Sequence, residues 1–376
     1  MTIKLGLHFH GDTDLGPAME RGWRTFTVLD LDRGLISGIM SRIPRAEWAD
    51  VLIHVRQMAQ LDMSQMDDAS PQAKGREMAH IAWELHSVWP DVAFVFTPLN
   101  EPEIESGVDT EEEFHHCAWY CDKWGEAFHL EFQRFSGPDN SLGVKVLLGG
   151  RPSSPGHNED GPGPNAWGSG YRILAPVWRK WYHLIVAHLY EPTPEGQSPF
   201  WHGLRIFRPF DYSMLTEGRP GDPGGLYEVA KELGMKILIS EANLTNVGDP
   251  DAVSRIRTWL QAIDYYDDER LIIGIHWFIW TSPDPHFQTM QLPLRPALVD
   301  LWATWKQKEE PPVASVPTFQ FGVLAEAIRL GADVVGFPLE DEYWFTDRRA
   351  FQATTKGMFV VNKFYGSYEV QFYPKA

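Results

Sequence analysis

Eight short apolar runs recur along the first four-fifths of the chain, and most are followed by a longer stretch with helical spacing. The runs fall at residues 3–10, 25–29, 35–41, 92–98, 144–148, 184–189, 236–240 and 271–278. Helical patterns lie at 45–63, 71–89, 110–135, 167–183, 224–233, 250–266 and 295–307. In the first of these, Trp48, Val51, Leu52, Val55, Met58 and Leu61 keep i, i+3/i+4 spacing. Strands that alternate with helices need crossover connections, and crossovers build a parallel sheet. Eight units of this size favour an α/β fold closed as a (β/α)8 TIM barrel over an open doubly wound sheet. No G-x-G-x-x-G opens a helix after the first strands, which argues against a dinucleotide site. The link between the first two runs carries no comparable helix, so that unit is expected to be irregular.

The pattern breaks after residue 307. Residues 308–318 are charged and then proline-rich, the composition of a stiff extended linker. The expected organisation is therefore a barrel over 1–307, a linker over 308–318 and a small α+β module over 319–376. Within the module a helix is expected at 323–330, with strands including 358–362 and 368–372.

Charge restricts the partners. The 376 residues hold 33 Lys and Arg against 51 Asp and Glu, a formal net charge of −18, and the tail after residue 318 is close to neutral. So acidic a body repels phosphate, which disfavours nucleic acid and anionic membranes as partners and suits a neutral or cationic substrate. Sixteen Trp and 21 Phe supply aromatic faces that fill a core or stack on sugar rings. Cys117 and Cys121 have a spacing that would strain a disulfide, and they read as small buried hydrophobes. The first residues run straight into a strand with no apolar leader, and no run of 18 apolar residues occurs. The expected location is the cytoplasm as synthesised, with release by another route if the substrate lies outside.

In such a barrel the chemistry sits at the C-terminal ends of the strands. The first run ends in His8 and His10, the third at Arg42, and the fourth at Asn100-Glu101-Pro102-Glu103. The sixth ends in His188-Leu189-Tyr190-Glu191, the seventh in Ser240-Glu241-Ala242-Asn243, and the eighth in His276-Trp277-Phe278-Ile279-Trp280. Two carboxylates beside aromatic walls are what glycoside hydrolysis requires, one to protonate the leaving oxygen and one to attack or to activate water.

The run 94–102, ending Asn100-Glu101-Pro102, together with Lys236-Ile237-Leu238-Ile239-Ser240-Glu241, resembles the clan A retaining β-glycosidases. The likeness extends in strand order over about residues 1–307. It implies Glu101 as acid/base, Glu241 as nucleophile, Asn100 on the sugar 2-hydroxyl, Tyr190 on the nucleophile and Trp280 as a platform under the sugar. Arg42 would be the arginine near the nucleophile, and His10, His188 and Trp277 would line the substrate. The resemblance implies an oligo- or polysaccharide substrate and no cofactor or metal. The tail segment 330–339, followed by Phe351-Gln352 and Gly357-Met358-Phe359-Val360-Val361, resembles one copy of an LGFP-type repeat of bacterial wall-associated proteins. That likeness points to a bacterial wall glycan and an endolysin-like role, with the module binding the wall or simply packing on the barrel.

Other readings of the same residues stand beside this one. Glu101 fits a helix cap, Glu241 an ordinary surface carboxylate, and Glu103 and Glu191 rim charges. Plant-type polysaccharides or small β-glucosides and mannosides are alternative substrates. His8, His10, His188 and His276 resemble the histidines of metal-dependent amidohydrolase barrels, although Asn100-Glu101-Pro102 stands where those barrels carry a metal-bridging lysine.

Overall fold

A computed structural model describes residues 3–9, 14–29, 32–56, 70–100, 108, 110–137, 141–150, 170–189, 225–244, 246–282 and 284–306, with the backbone of four later strands between 343 and 374. The chain divides into two compact units, Met1–Thr193 with Phe200–Gln307, and Lys308–Ala376 with Pro194–Pro199.

The first unit is an eight-stranded parallel barrel. Its strands are β1 (Lys4–Phe9), β2 (Thr25–Leu29), β3 (Leu52–Arg56), β4 (Ala93–Thr97), β5 (Val146–Leu148), β6 (Leu184–His188), β7 (Lys236–Ala242) and β8 (Ile272–Trp277). They pair in the order β5-β4-β3-β2-β1-β8-β7-β6. Closure falls between β5 and β6, through a bridge of Gly149 to Leu184 and the bonds Gly150 N–H to Leu184 O and His183 N–H to Leu148 O, each 2.8 Å. The expected TIM barrel is the observed fold.

Helices α1 (Leu15–Met19), α2 (Arg33–Met40), α3 (Ser70–Val88), α4 (Glu111–Ser136), α5 (Gly170–Trp181), α6 (Leu226–Leu233), α7 (Ala252–Tyr266) and α8 (Pro296–Thr304) lie between and after the strands. The short α1 is the irregular first connection. Helix α4 starts where a capping box closes on itself, Thr110 accepting from Glu113 N–H while the Glu113 carboxylate accepts from Thr110 N–H. Cys117 and Cys121 are buried on α4 and form no disulfide. None of the described helices is long and apolar enough to cross a membrane.

Two adjacent elements exchange identities relative to the sequence expectation. Residues 35–41 form no strand: the Asp32 carboxylate accepts from Leu35 N–H and caps α2, which buries Leu35, Ile36, Ile39 and Met40 on one face. Residues 45–56, the described part of the helix expected at 45–63, form no long helix. A 3-10 turn over Arg45–Asp50 is followed directly by β3. Val51, Leu52 and Val55 satisfy both periods, and the alternation of Ile53 and Val55 with Leu52, His54 and Arg56 is the one that folds.

Strand alternation sorts side chains between the barrel interior and the helix layer. Phe9, Phe26, Phe94 and Phe96 face outwards, with Phe9 on Phe26 at 5.7 Å and Phe96 on Phe128 of α4 at 5.9 Å between ring centroids. The interior is divided. Val95, Leu184, Val186 and Leu238 form an apolar cluster, while Thr25, Thr27, His54 and His276 form a polar one. Gly6 is required beside the second group, because a Cβ there would lie 2.1 Å from Thr25 O and 2.8 Å from His276 Cδ2.

The second unit has a four-stranded antiparallel sheet of β9 (Tyr343–Thr346), β10 (Arg349–Ala353), β11 (Gly357–Phe364) and β12 (Ser367–Pro374), in the order β12-β11-β10-β9. Strands β11 and β12 contain the runs expected at 358–362 and 368–372. The expected linker 308–318, the helix 323–330 and the LGFP-like segment 330–339 lie outside the described residues.

Candidate active site

The site is built at the C-terminal ends of β1, β3, β4, β6 and β7. Strand β7 carries one extra residue here: Ala187 and His188 of β6 face Ile239 and Glu241, and Ile275 and Trp277 of β8 face Ile239 and Ala242. Such a bulge re-aims the side chain beside it, and that side chain is Glu241, 2% exposed.

A carboxylate stripped of water needs an opposite charge. Arg56, the last residue of β3 and itself buried, donates from Nη1 to Glu241 Oε1. His8 Nδ1 lies 3.6 Å from the same oxygen, and His188 Nδ1 lies 3.4 Å from Oε2. Glu241 is thus a buried carboxylate surrounded by one fixed cation and two imidazoles. That arrangement pairs the carboxylate with a fixed charge and shields it from water.

The expected site residues distribute as follows. Glu241 and His188 meet as described, and Asn100 is buried at the end of β4, 1% exposed. Trp280 follows β8 and is tied to the first strand by its N–H to His8 O at 3.0 Å; its ring meets Trp23 edge-on at 5.6 Å. Glu101, Tyr190 and His10, with Glu103 and Glu191, lie outside the described residues.

Two assignments are corrected. Arg42 does not end a strand: it follows α2, exposed, and donates to Gly38 O of that helix. The arginine on the carboxylate is Arg56, missed because its strand was read as helix; the alternation 51–56 was the signal that could have found it. Trp277 is fully enclosed, its Nε1 donating to Met290 O and its ring against Trp302 at 5.1 Å. His276 points into the barrel, so Trp277 points out of it, and its role is packing.

The histidines do not assemble a metal centre among the described residues, where no three His, Cys, Asp or Glu side chains are grouped as ligands. His276 instead bonds to Thr25 through Nε2 and to Thr27 through Nδ1. Burial pushes its pKa down from 6.5 to about 3. His54 is also held well below 6.5, first by burial and then by His276, His188 and Arg56 nearby.

These two rings make the fold acid-sensitive. Below pH 6.5 the unfolded chain binds protons that the folded rings refuse, so stability is fully present above that value and drains away as pH falls towards the folded pKa. Each ring contributes a slope of about 1.4 kcal/mol per pH unit in that window. Two together would consume a typical margin of about 5–15 kcal/mol within a few units. Urea unfolding at a series of pH values from 7.5 to 4.5 is expected to show a plateau and then this steep loss. A flat or rising profile below pH 6.5 would contradict the assignment of both rings as neutral.

No protein-family model matches the chain, and no curated protein matches it. Among solved structures it is similar to a GH5-4 broad specificity endoglucanase from Clostridum cellulovorans, with 12% identity, a TM-score of 0.47 and coverage of 80% of this chain and 93% of that one. It is also similar to a GH128 (subgroup II) endo-β-1,3-glucanase from Sorangium cellulosum, with 11% identity, a TM-score of 0.44 and coverage of 80% and 98%. A Bacteroidetes-affiliated GH5 cellulase matches at 12% identity and a TM-score of 0.47, over 83% and 92%. The barrel assignment rests on the strand order and closure given above, and these distant likenesses add nothing about chemistry.

Proposed function

We propose that the protein is a retaining β-glycoside hydrolase in which Glu241 is the nucleophile and Glu101 the acid/base. The observation that carries this reading is the Glu241 carboxylate, buried at the barrel mouth on a bulge and paired with Arg56. Glu101 follows buried Asn100 directly in sequence and supplies the second carboxyl group. In the first step Glu241 attacks the anomeric carbon while Glu101 protonates the departing oxygen. In the second, Glu101 takes a proton from water, which attacks the same carbon and releases Glu241. Asn100 would hold the 2-hydroxyl and Trp280 the sugar face. The LGFP-like tail sequence supports a bacterial wall glycan as the natural substrate, in an endolysin-like role.

The test is turnover on a panel of aryl β-glycosides, soluble β-glucans, β-mannans and purified peptidoglycan, with the first-formed anomer read by proton NMR. Hydrolysis with retained configuration is expected, peptidoglycan being the preferred polymer. The Glu101 and Glu241 carboxyl groups are expected to lie about 5–5.5 Å apart, a distance read from a crystal of the substrate complex. Inverted product, or a separation near ~6.5–9.5 Å that leaves room for water, would sink the retaining mechanism. Turnover confined to plant-type glucans would remove the wall substrate alone.

A further inference from the structure

Beneath the site runs a chain of side chains that the proposed reaction does not use. Thr25 Oγ1 lies 2.6 Å from His276 Nε2, and His276 Nδ1 lies 2.7 Å from Thr27 Oγ1. Thr27 Oγ1 lies 3.3 Å from His54 Nδ1, and His54 Nε2 lies 3.2 Å from Thr97 Oγ1. All five residues are buried, drawn from β2, β3, β4 and β8. Thr27 Oγ1 also lies 3.2 Å from the carbonyl oxygen of Ser240, the residue immediately before Glu241 in the bulge.

One constraint places every proton. A carbonyl oxygen only accepts, so the single Thr27 hydroxyl proton goes to Ser240. The two remaining lone pairs of that hydroxyl face Nδ1 of His54 and Nδ1 of His276, and both atoms must then carry hydrogen. In neutral rings the two Nε2 atoms are bare acceptors, and the Thr97 and Thr25 hydroxyls donate into them. Each hydroxyl proton has a destination, and both histidines take the same tautomer.

We propose that Thr27 is a positioning residue for Glu241: its hydroxyl, oriented by the Nδ1–H groups of His54 and His276, clamps the Ser240 carbonyl and so fixes the bulge that aims the carboxylate. The ladder register shifts at this point against both neighbouring strands, so regular pairing specifies the backbone less there than elsewhere on β7. A bond from across the barrel interior supplies what the ladder does not. The catalytic consequence rests on the reading of Glu241 as nucleophile; the proton assignment does not.

The full-length chain labelled with 15N-histidine tests the assignment through two-bond ring correlations near pH 7. Two of its 14 histidines should be neutral Nδ1–H tautomers whose Nε2 signals move in Thr25→Val for His276 and in Thr97→Val for His54. A ring protonated on Nε2, or charged, at either position overturns the network without any use of activity. The second arm uses an aryl glycoside that the wild type cleaves. Thr27→Val is expected to lower kcat by roughly ten- to a hundredfold, the scale set by displacing a reacting group by about 1 Å, while KM stays within about twofold. Thr27→Ser, which keeps the hydroxyl, should recover most of the loss. A folded Thr27→Val with wild-type kcat, or one changed only in KM, overturns the clamp. Should Thr27→Val fail to fold, the wild-type ring spectra still decide the network. A wild type inactive on every glycoside refutes the proposed function, and the ring spectra then uphold or overturn the network by themselves.

Discussion

Glu241→Ala is expected to abolish turnover of every glycoside the wild type cleaves, by about 10⁴-fold or more, the scale seen when a covalent nucleophile is removed. The loss should not depend on the leaving group, because no leaving group can depart by this route without an attacking carboxylate. Azide should restore part of the activity on an activated aryl β-glycoside by entering the vacated space and attacking the anomeric carbon. The glycosyl azide formed has inverted configuration, since only one displacement has occurred. Glu101→Ala should fail differently. Aryl glycosides that depart without protonation keep much of their first step, unactivated glycosides lose theirs, and azide yields a retained product through the Glu241 intermediate. Product configuration by NMR separates the two variants, and circular dichroism confirms that each is folded. If both variants keep wild-type rates, neither carboxylate takes part in the reaction and the proposed mechanism fails.

Arg56→Met carries the second largest effect, on stability as well as on rate. The guanidinium and the Glu241 carboxylate are both buried, so removing the cation leaves a charge without its partner. Breaking a buried pair in this way costs about 3–5 kcal/mol, a large part of a domain's margin. Urea unfolding near pH 7 should record that loss. Arg56→Met combined with Glu241→Gln should recover a substantial share of it, since no uncompensated charge remains and contacting residues are not additive. Arg56→Lys should fall between, because an ammonium keeps the charge but not the rigid planar fork. Equal and additive losses in the single and double variants would mean that the pair contributes no coupling, and that Glu241 is held by other means.

How far the sequence could be read depends on which period each segment satisfied. The strands that carry His188 and Glu241 were legible because Leu184–Ala187 and Ile237–Ile239 are continuous apolar runs buried on both faces. Helix α4 was legible nearly to its ends, expected at 110–135 and observed at Glu111–Ser136. The failure at 33–56 came from a segment with two valid readings. Gly34 and Gly38 weaken helix propensity in α2, and Ile36 and Ile39 suggest a strand. Leu52 and Val55 in β3 fit a helical stripe equally well. Only tertiary pairing, Leu52 on Thr25 and Ala93, decides between them. That single exchange moved the site arginine from Arg56 to Arg42. The error at Trp277 had another origin. Four residues at the end of β8 are large and apolar, and no sequence rule says which of them the pleat turns towards the mouth. The bulge at Ser240 was not legible at all, because an extra residue in one strand is defined only by its neighbours.

The division of the barrel interior sets how this protein can change over generations of mutation. Val95, Leu184, Val186 and Leu238 meet through dispersion alone, and such a cluster accepts exchanges that conserve volume, one at a time and at modest cost. Thr25, Thr27, His54, Thr97 and His276 are joined by hydrogen bonds, and no single member can lose its polar atom without stranding another. Variation should therefore accumulate at the four apolar positions, while the five hydrogen-bonded ones, from β2, β3, β4 and β8, change only by exchanges that keep the hydroxyl or by coordinated replacement of several residues. One part of the same interior is open to gradual drift, and the other moves as a block.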